Sequence, residues 1–328
     1  MNRLSTALAV LGLGALGTGL LPGAVAAEPS IEPRPTTIRL ERLERGPDAG
    51  APYVEGRRIV DGPRSTRVRG QQLRLLGTRP DGRYVVVVHR DGRAQVRAVT
   101  PGKGSRKILP VYEQETATLS GDGTTLVTAL YRYRKGHTVL RAYDSTGGER
   151  LGLRKRKGYE VVLDADPTTV VHSGDRGPVV AWDLTTDSGR RISARPGYAA
   201  DLANDRLGVL TKDPYEGGCS VVSPISDPAT TLWRSCEERV VRFSPDGSHL
   251  ATVHLLNDGL GPSEVWVRTV GGELTGRYRV RSGYFTQIFF EDADTLLLDT
   301  STEEATAVVR CTDGDCELAS DLGPGEQP

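Results

Sequence analysis

The sequence predicts an all-β chain whose strands close into a β-propeller. Three observations carry that prediction. Acidic turns recur about every 40 residues, each period holds four short apolar segments separated by turn residues, and no stretch sustains the apolar spacing of an amphipathic helix. The apolar runs are short and rich in Val, Leu and Thr, as strands require.

In chain order, residues 28–35 (EPSIEPRP) read as a flexible leader. TTIRLERL follows as one strand, and PYVEGRRIVDGPRSTRVRG, Pro52 to Gly70, as a hairpin. The repeat begins at Leu73. LLGTRPDGRYVVVV, ATLSGDGTTLVTAL, VVLDADPTTVVHSG, AADLANDRLGVLTK, VRFSPDGSHLATVH and IFFEDADTLLLDTS each join two strands through an acidic turn. The turn aspartates Asp81, Asp122, Asp166, Asp205 and Asp246 lie 41, 44, 39 and 41 residues apart, and the sixth copy turns around Asp292 to Asp294. Third strands read AQVRAV, HTVLRAYD, GPVVAWDL, CSVVSP, SEVWVRTV and ATAVVRC. Fourth strands read SRKIL, GERLGL, GRRIS, TTLWRS, GELTGRYRV and CELAS. The expectation is six countable four-stranded blades and a short seventh, completed by the N-terminal hairpin and the TTIRLERL strand and standing beside the last blade. Residues 36–328 then form one propeller domain, and closing the ring hides sheet edges that invite aggregation.

FSPDGSHLATV and VVAWDL resemble the blades of WD-repeat and TolB-type propellers, in which an apolar strand runs into an SPDG turn. The resemblance spans about residues 71–320 and implies architecture, since a fold of this kind hosts many functions. The chain departs from both families. It lacks the regular Gly-His and Trp-Asp dipeptides of WD repeats and the N-terminal α/β domain of TolB proteins, so the resemblance implies no TolB-type translocation role.

The N-terminus indicates a compartment. Arg3 supplies a positive charge, Ala7 to Leu21 form an apolar run, and Ala24-Val25-Ala26 offers an A-x-A cleavage site. Residues 1–27 read as a secretory signal peptide cut after Ala26 or Ala27, because a spanning helix needs about 20 apolar residues. The mature chain is therefore expected outside the cytoplasm, with no membrane span. The four cysteines agree. Cys311 and Cys316 bracket TDGD; a two-residue Asp313-Gly314 turn makes Thr312 and Asp315 the hydrogen-bonded pair and the cysteines the next, closer pair. Cys219 and Cys236 flank Asp227-Pro228 and suit a second hairpin. Four cysteines allow three connectivities; local pairing is favoured because each pair brackets a turn.

With 42 basic and 42 acidic residues the chain is formally neutral, which argues against a dedicated nucleic-acid binder. His89, His172 and His254 sit near the ends of second strands, but no HExxH, HxH or GxSxG motif is present, and ordinary strand roles outweigh a metal site. The turn aspartates suit turn chemistry better than a ring of calcium ligands. A basic feature stands out. YRYRKG follows a second strand and LRKRKGY leads from one blade to the next, both on the face opposite the aspartate turns. Tyr131, Arg132, Tyr133, Arg134, Lys135, Arg154, Lys155, Arg156 and Lys157 are therefore expected to form one patch beside Tyr159, extended by Arg90 and Arg93. The expected function is an exported, monomeric, non-catalytic scaffold binding a protein or an anionic cell-envelope polymer, without cofactor or metal. The alternative is a hydrolase or lyase at the central channel, with the Asp164/Asp166 and Asp292/Asp294 pairs at its mouth.

Overall fold

A computed structural model describes residues 33–325 except 91 and 258; the proposed signal peptide lies outside the described residues. Seven sheets are arranged as the blades of a propeller. Blades one to six (72–111, 116–157, 160–193, 197–235, 238–280 and 283–318) are four-stranded meanders, and blade seven (53–67) has three strands. First strands of successive blades pack against one another and form the inner ring.

Each blade is covered on both faces by its neighbours, so its second strand reads as a continuous apolar run rather than an alternation. Tyr84–Arg90 is buried from Tyr84 to Val88, and Thr125–Arg132 from Thr125 to Leu130. The core is correspondingly split between blades. Val85, Val96, Ala117, Leu119 and Leu126 fill the space between blades one and two. Val127, Ala129, Leu140, Val170 and the fully buried Trp182 fill the next.

The turns repeat one chemistry. In Ser244-Pro245-Asp246-Gly247-Ser248, the Asp246 carboxylate accepts the Ser244 and Ser248 hydroxyls and the Ser248 N–H at 2.7, 2.8 and 3.0 Å. These bonds hold its pKa down at about 2. Asp122 repeats them with Ser120 and Thr124. Gly123, at φ +74°, lies so close to blade one that a Cβ there would drive into the Thr78 carbonyl oxygen and approach the Arg79 Cα at 2.8 Å.

Blade seven departs from expectation in composition. Tyr53–Glu55, Arg58–Asp61 and Arg64–Arg67 build it alone. The TTIRLERL strand does not join it; Thr36–Ile38 pairs in parallel with Leu274–Val280 on the outer edge of blade five. The reason is ring closure. From there the chain straps across blade six, where Glu44 and Gly46 bond Leu318 and Ala49 bonds Ala319. Ala49 is buried against Leu297 and Val308. Arg310 fastens the strap, donating to Glu291, Glu317 and the carbonyls of Pro47 and Asp48 at 2.6–3.0 Å.

Both disulfides are local. Cys311–Cys316 lies in the expected register beside Thr312 and Asp315, and Cys219–Cys236 continues the pairing of Ser220 with Ser235; the Cα separations are 4.2 and 4.0 Å. Two formed disulfides suit folding in an oxidising compartment. No helix among the described residues is long and apolar enough to cross a membrane.

Candidate functional site

The meander gives the molecule two unlike faces. One carries the first-to-second and third-to-fourth turns, where the aspartates lie. The other carries the second-to-third loops and the links between blades, and there the exposed large apolar side chains concentrate: Tyr112, Tyr133, Tyr159, Tyr215, Leu256 and Leu260.

On the loop face, blade two builds the most developed site. Thr125–Arg132 runs into a single 3-10 turn, Tyr133–Lys135, which Gly136 ends in the left-handed region at φ +59°. The link from blade one, Tyr112 to Gln114, stands opposite this turn. Together with Leu130, Tyr131 and Arg132 they line a groove of about 610 Å³. Tyr112 and Tyr133 are 61% and 83% exposed. Tyr131 is held edge-on between Tyr133 and Tyr159, with ring centroids 6.3 and 5.6 Å away.

The basic patch is real in part. Leu153 to Lys157 belong to the fourth strand, Arg150–Lys157, rather than to a link, so successive side chains point to opposite sides. Arg132 pairs with His137, and Val139 with Lys155, which sets Lys155 and Lys157 on the side of Arg132 and the groove. Arg132, Arg134, Lys135, Lys155 and Lys157 make no ion pair among the described residues, and the Arg132 Nε is buried without a hydrogen bond. Arg154 and Arg156 face blade three instead. The Arg154 guanidinium lies 5.3 Å from the Trp182 ring centroid and bonds the Asp187 carbonyl. Arg156 reaches Glu160 at 3.5 Å, and Glu160 meets His172 Nδ1 at 2.6 Å. The single patch of nine residues is thus divided by strand alternation, and its two inward arginines serve the blade interface.

Other singled-out residues have local roles. His172 is fully buried. The turn aspartates cap their own turns: Asp166 accepts the N–H groups of Thr168 and Thr169 at 2.7 Å, and Asp292 those of Asp294 and Thr295. Asp164 is half-buried, and burial is the main cause that pushes its carboxyl up to about 6 despite hydrogen bonds from Leu202 and Ala165.

Sequence reasoning missed two features. Tyr112 and Gln114 complete the groove; blade symmetry was the available signal, because a link and the next blade's second-to-third loop share one face. It also missed a recurring buried glutamate at or next to the start of the first strand. Glu115 pairs with Arg141 at 3.0 Å, Glu160 with His172, and Glu238 with Arg268 at 2.6 Å. They stand 7, 6 and 8 residues before the turn aspartates Asp122, Asp166 and Asp246, so the sequence offered no fixed offset by which to find them.

No protein-family model matches this sequence, and no curated protein matches it. Solved structures do. The β-propeller domain of the Trilobed protease from Pyrococcus furiosus is similar at TM-score 0.56 and 10% identity, over 85% of this chain and 96% of that one. Acylaminoacyl peptidase from Pyrococcus horikoshii gives 0.59 and 13%, over 80% of this chain and 47% of that one. TolB from Acinetobacter baumannii gives 0.45 and 14%, over 68% and 62%. The chain therefore spans about half of the peptidase and under two thirds of TolB. At such identities the likeness is one of fold.

Proposed function

We propose that the protein is an exported, non-catalytic scaffold that binds an anionic partner on the loop face of blade two. The observation that carries this reading is a set of five cations without an ion pair among the described residues: Arg132, Arg134 and Lys135 line a groove with exposed tyrosines and one carboxylate, Glu113, and Lys155 and Lys157 lie on the same side of the blade as Arg132. Guanidinium and ammonium groups attract carboxylate or phosphate at long range and bond it on contact. Tyrosine adds rigid contact area at little entropic cost. The seven-bladed ring holds these loops on a stiff frame, so little order is lost on binding.

The reading is tested by binding to a glycerol-phosphate polymer and to polyglutamate at low and high salt. The triple variant R132A/R134A/K155A is expected to weaken binding about tenfold or more, as three moderate charge contacts would, and added salt to weaken the parent similarly. R154A is expected to leave binding unchanged. Equal binding by parent and triple variant would remove the groove from the proposal.

A further inference from the structure

Blades five and six enclose a second, smaller pocket on the loop face, and its chemistry comes from one irregularity in a strand. Arg239 and Arg242 lie three positions apart on the first strand of blade five, Glu238–Phe243. Residues three apart point to opposite sides of a regular strand. Here they do not. The pairing with His249–His254 shifts between Val240 and Arg242, so Val241 is an extra residue. Arg239 stands opposite Val253, and Arg242 opposite Ala251. Val253 and Ala251 both belong to the core between blades five and six, so the bulge sets both arginines on the blade-six side. Glu238, the carboxylate of this strand, lies on the other side, where Arg268 holds it at 2.6 Å.

The two arginines line a pocket of about 410 Å³ with Asn257 of the second-to-third loop and Phe285 of blade six. Arg239 donates to the Asn257 carbonyl and Arg242 Nε to the Ile288 carbonyl, each at 3.2 Å. One such bond leaves most of a guanidinium's donors uncommitted. Among the described residues no carboxylate lines the pocket, and neither arginine makes an ion pair. The Arg242 side chain is reached by solvent yet surrounded by protein, as a cavity wall is, and that burial lowers its pKa. A cation desolvated without a counter-charge gains from an anion that reaches it. The loop above is tied down on blade six. The Phe285 N–H bonds the Pro262 carbonyl at 2.8 Å, and Gly261, at φ +143°, lies where a Cβ would collide with the Phe285 carbonyl. Val241, Leu260 and Ile288 add apolar wall.

We propose that this pocket binds a small phosphate monoester, its dianionic head against Arg239 and Arg242 and its organic body against Val241, Leu260 and Ile288. Two fixed cations match a head with two negative charges. The volume is that of a small-molecule site. The pocket shares no residue with the blade-two groove, and the inference stands independently of that reading.

The probe is phenyl phosphate at pH 8, where the monoester carries both charges. Phenyl sulfate, with the same shape and one charge, is the comparison. Calorimetric titration is expected to show phenyl phosphate binding at least about fivefold tighter, a preference lost at pH 5, where the monoester keeps one charge. Its binding is expected to slow hydrogen exchange of the Gly259 and Gly261 amides and not of Gly136 beside the groove. R239Q and R242Q are each expected to weaken binding about tenfold through one lost charge-assisted contact. R132A/R134A/K155A and D258N are expected to bind as the parent does. Equal binding of phosphate and sulfate at pH 8, unchanged binding in R239Q and R242Q, protection confined to the groove, or loss of binding in R132A/R134A/K155A would overturn the proposal. So would markedly tighter binding in D258N, which would mean that a carboxylate of the loop already occupies the arginines. Should R239Q or R242Q melt early, the phosphate preference and the exchange pattern of the parent decide.

Discussion

The carboxyl of Asp164 accepts the N–H groups of Ala165 and Leu202 at 2.8 and 2.7 Å, yet burial raises its pKa from 3.8 to about 6. A folded pKa above the unfolded one favours the protonated native state. The stabilisation is complete below about pH 4 and is lost as pH rises through about 6, a change of at most about 3 kcal/mol. Denaturant melts across this window are expected to show that loss, and D164N to flatten it; an equally steep curve in D164N would refute the assignment. D164N also loses one acceptor, so the slope is the readout and the level is not. Gly123 makes a second test. Both its positive φ and its approach to Thr78 and Arg79 exclude a Cβ, so G123A is expected to cost about 1–3 kcal/mol in chemical denaturation. The glycine was legible as a turn residue in GDG. Its steric role was not, because the atoms it meets lie more than forty residues earlier in the chain.

Single strands show how far a local reading reaches. VVVVH and LVTAL were recognisable because a strand covered on both faces is apolar throughout. The start of the Arg150–Lys157 strand was read as a fourth strand, but its end, from Leu153, was read as a link because it is charged, and charge is a poor guide in an outermost strand with one edge in water. Counting alternation along LRKRK separates Arg154 and Arg156 from Lys155 and Lys157. R154A is expected to lower stability by about 1 kcal/mol through the lost stacking on Trp182 and the lost bond to Asp187, measurable by thermal melting, with the groove unaffected. For the hairpin staple Cys219–Cys236, 17 residues apart, replacement of both cysteines by serine is expected to cost about 2–3 kcal/mol, read by denaturation under oxidising conditions.

Closure is a property of the whole ring. The strap from Thr36 to Ala49 joins the outer edges of blades five and six before the chain turns inward to build blade seven. Arg310 is its clasp: hydrogen bonds from its guanidinium hold Glu291 below the ordinary carboxylate range, and the same bonds raise the arginine's own pKa. R310A leaves the Glu291 carboxylate with only the Gly50 N–H and is expected to cost about 3 kcal/mol or more. Hydrogen exchange should locate the loss in blades six and seven; uniform loss around the ring would contradict the clasp.

The sequence by itself determined the all-β class, the period of about 40 residues, six of the blades strand by strand, both disulfides and the turn chemistry, because each depends on neighbours within one repeat. Tertiary structure alone decided where the N-terminal strand pairs, that blade seven has three strands and an open edge, and which cations remain free around the groove. Those outcomes depend on surfaces brought together from distant parts of the chain, and local patterning carries no record of which surface a strand will meet.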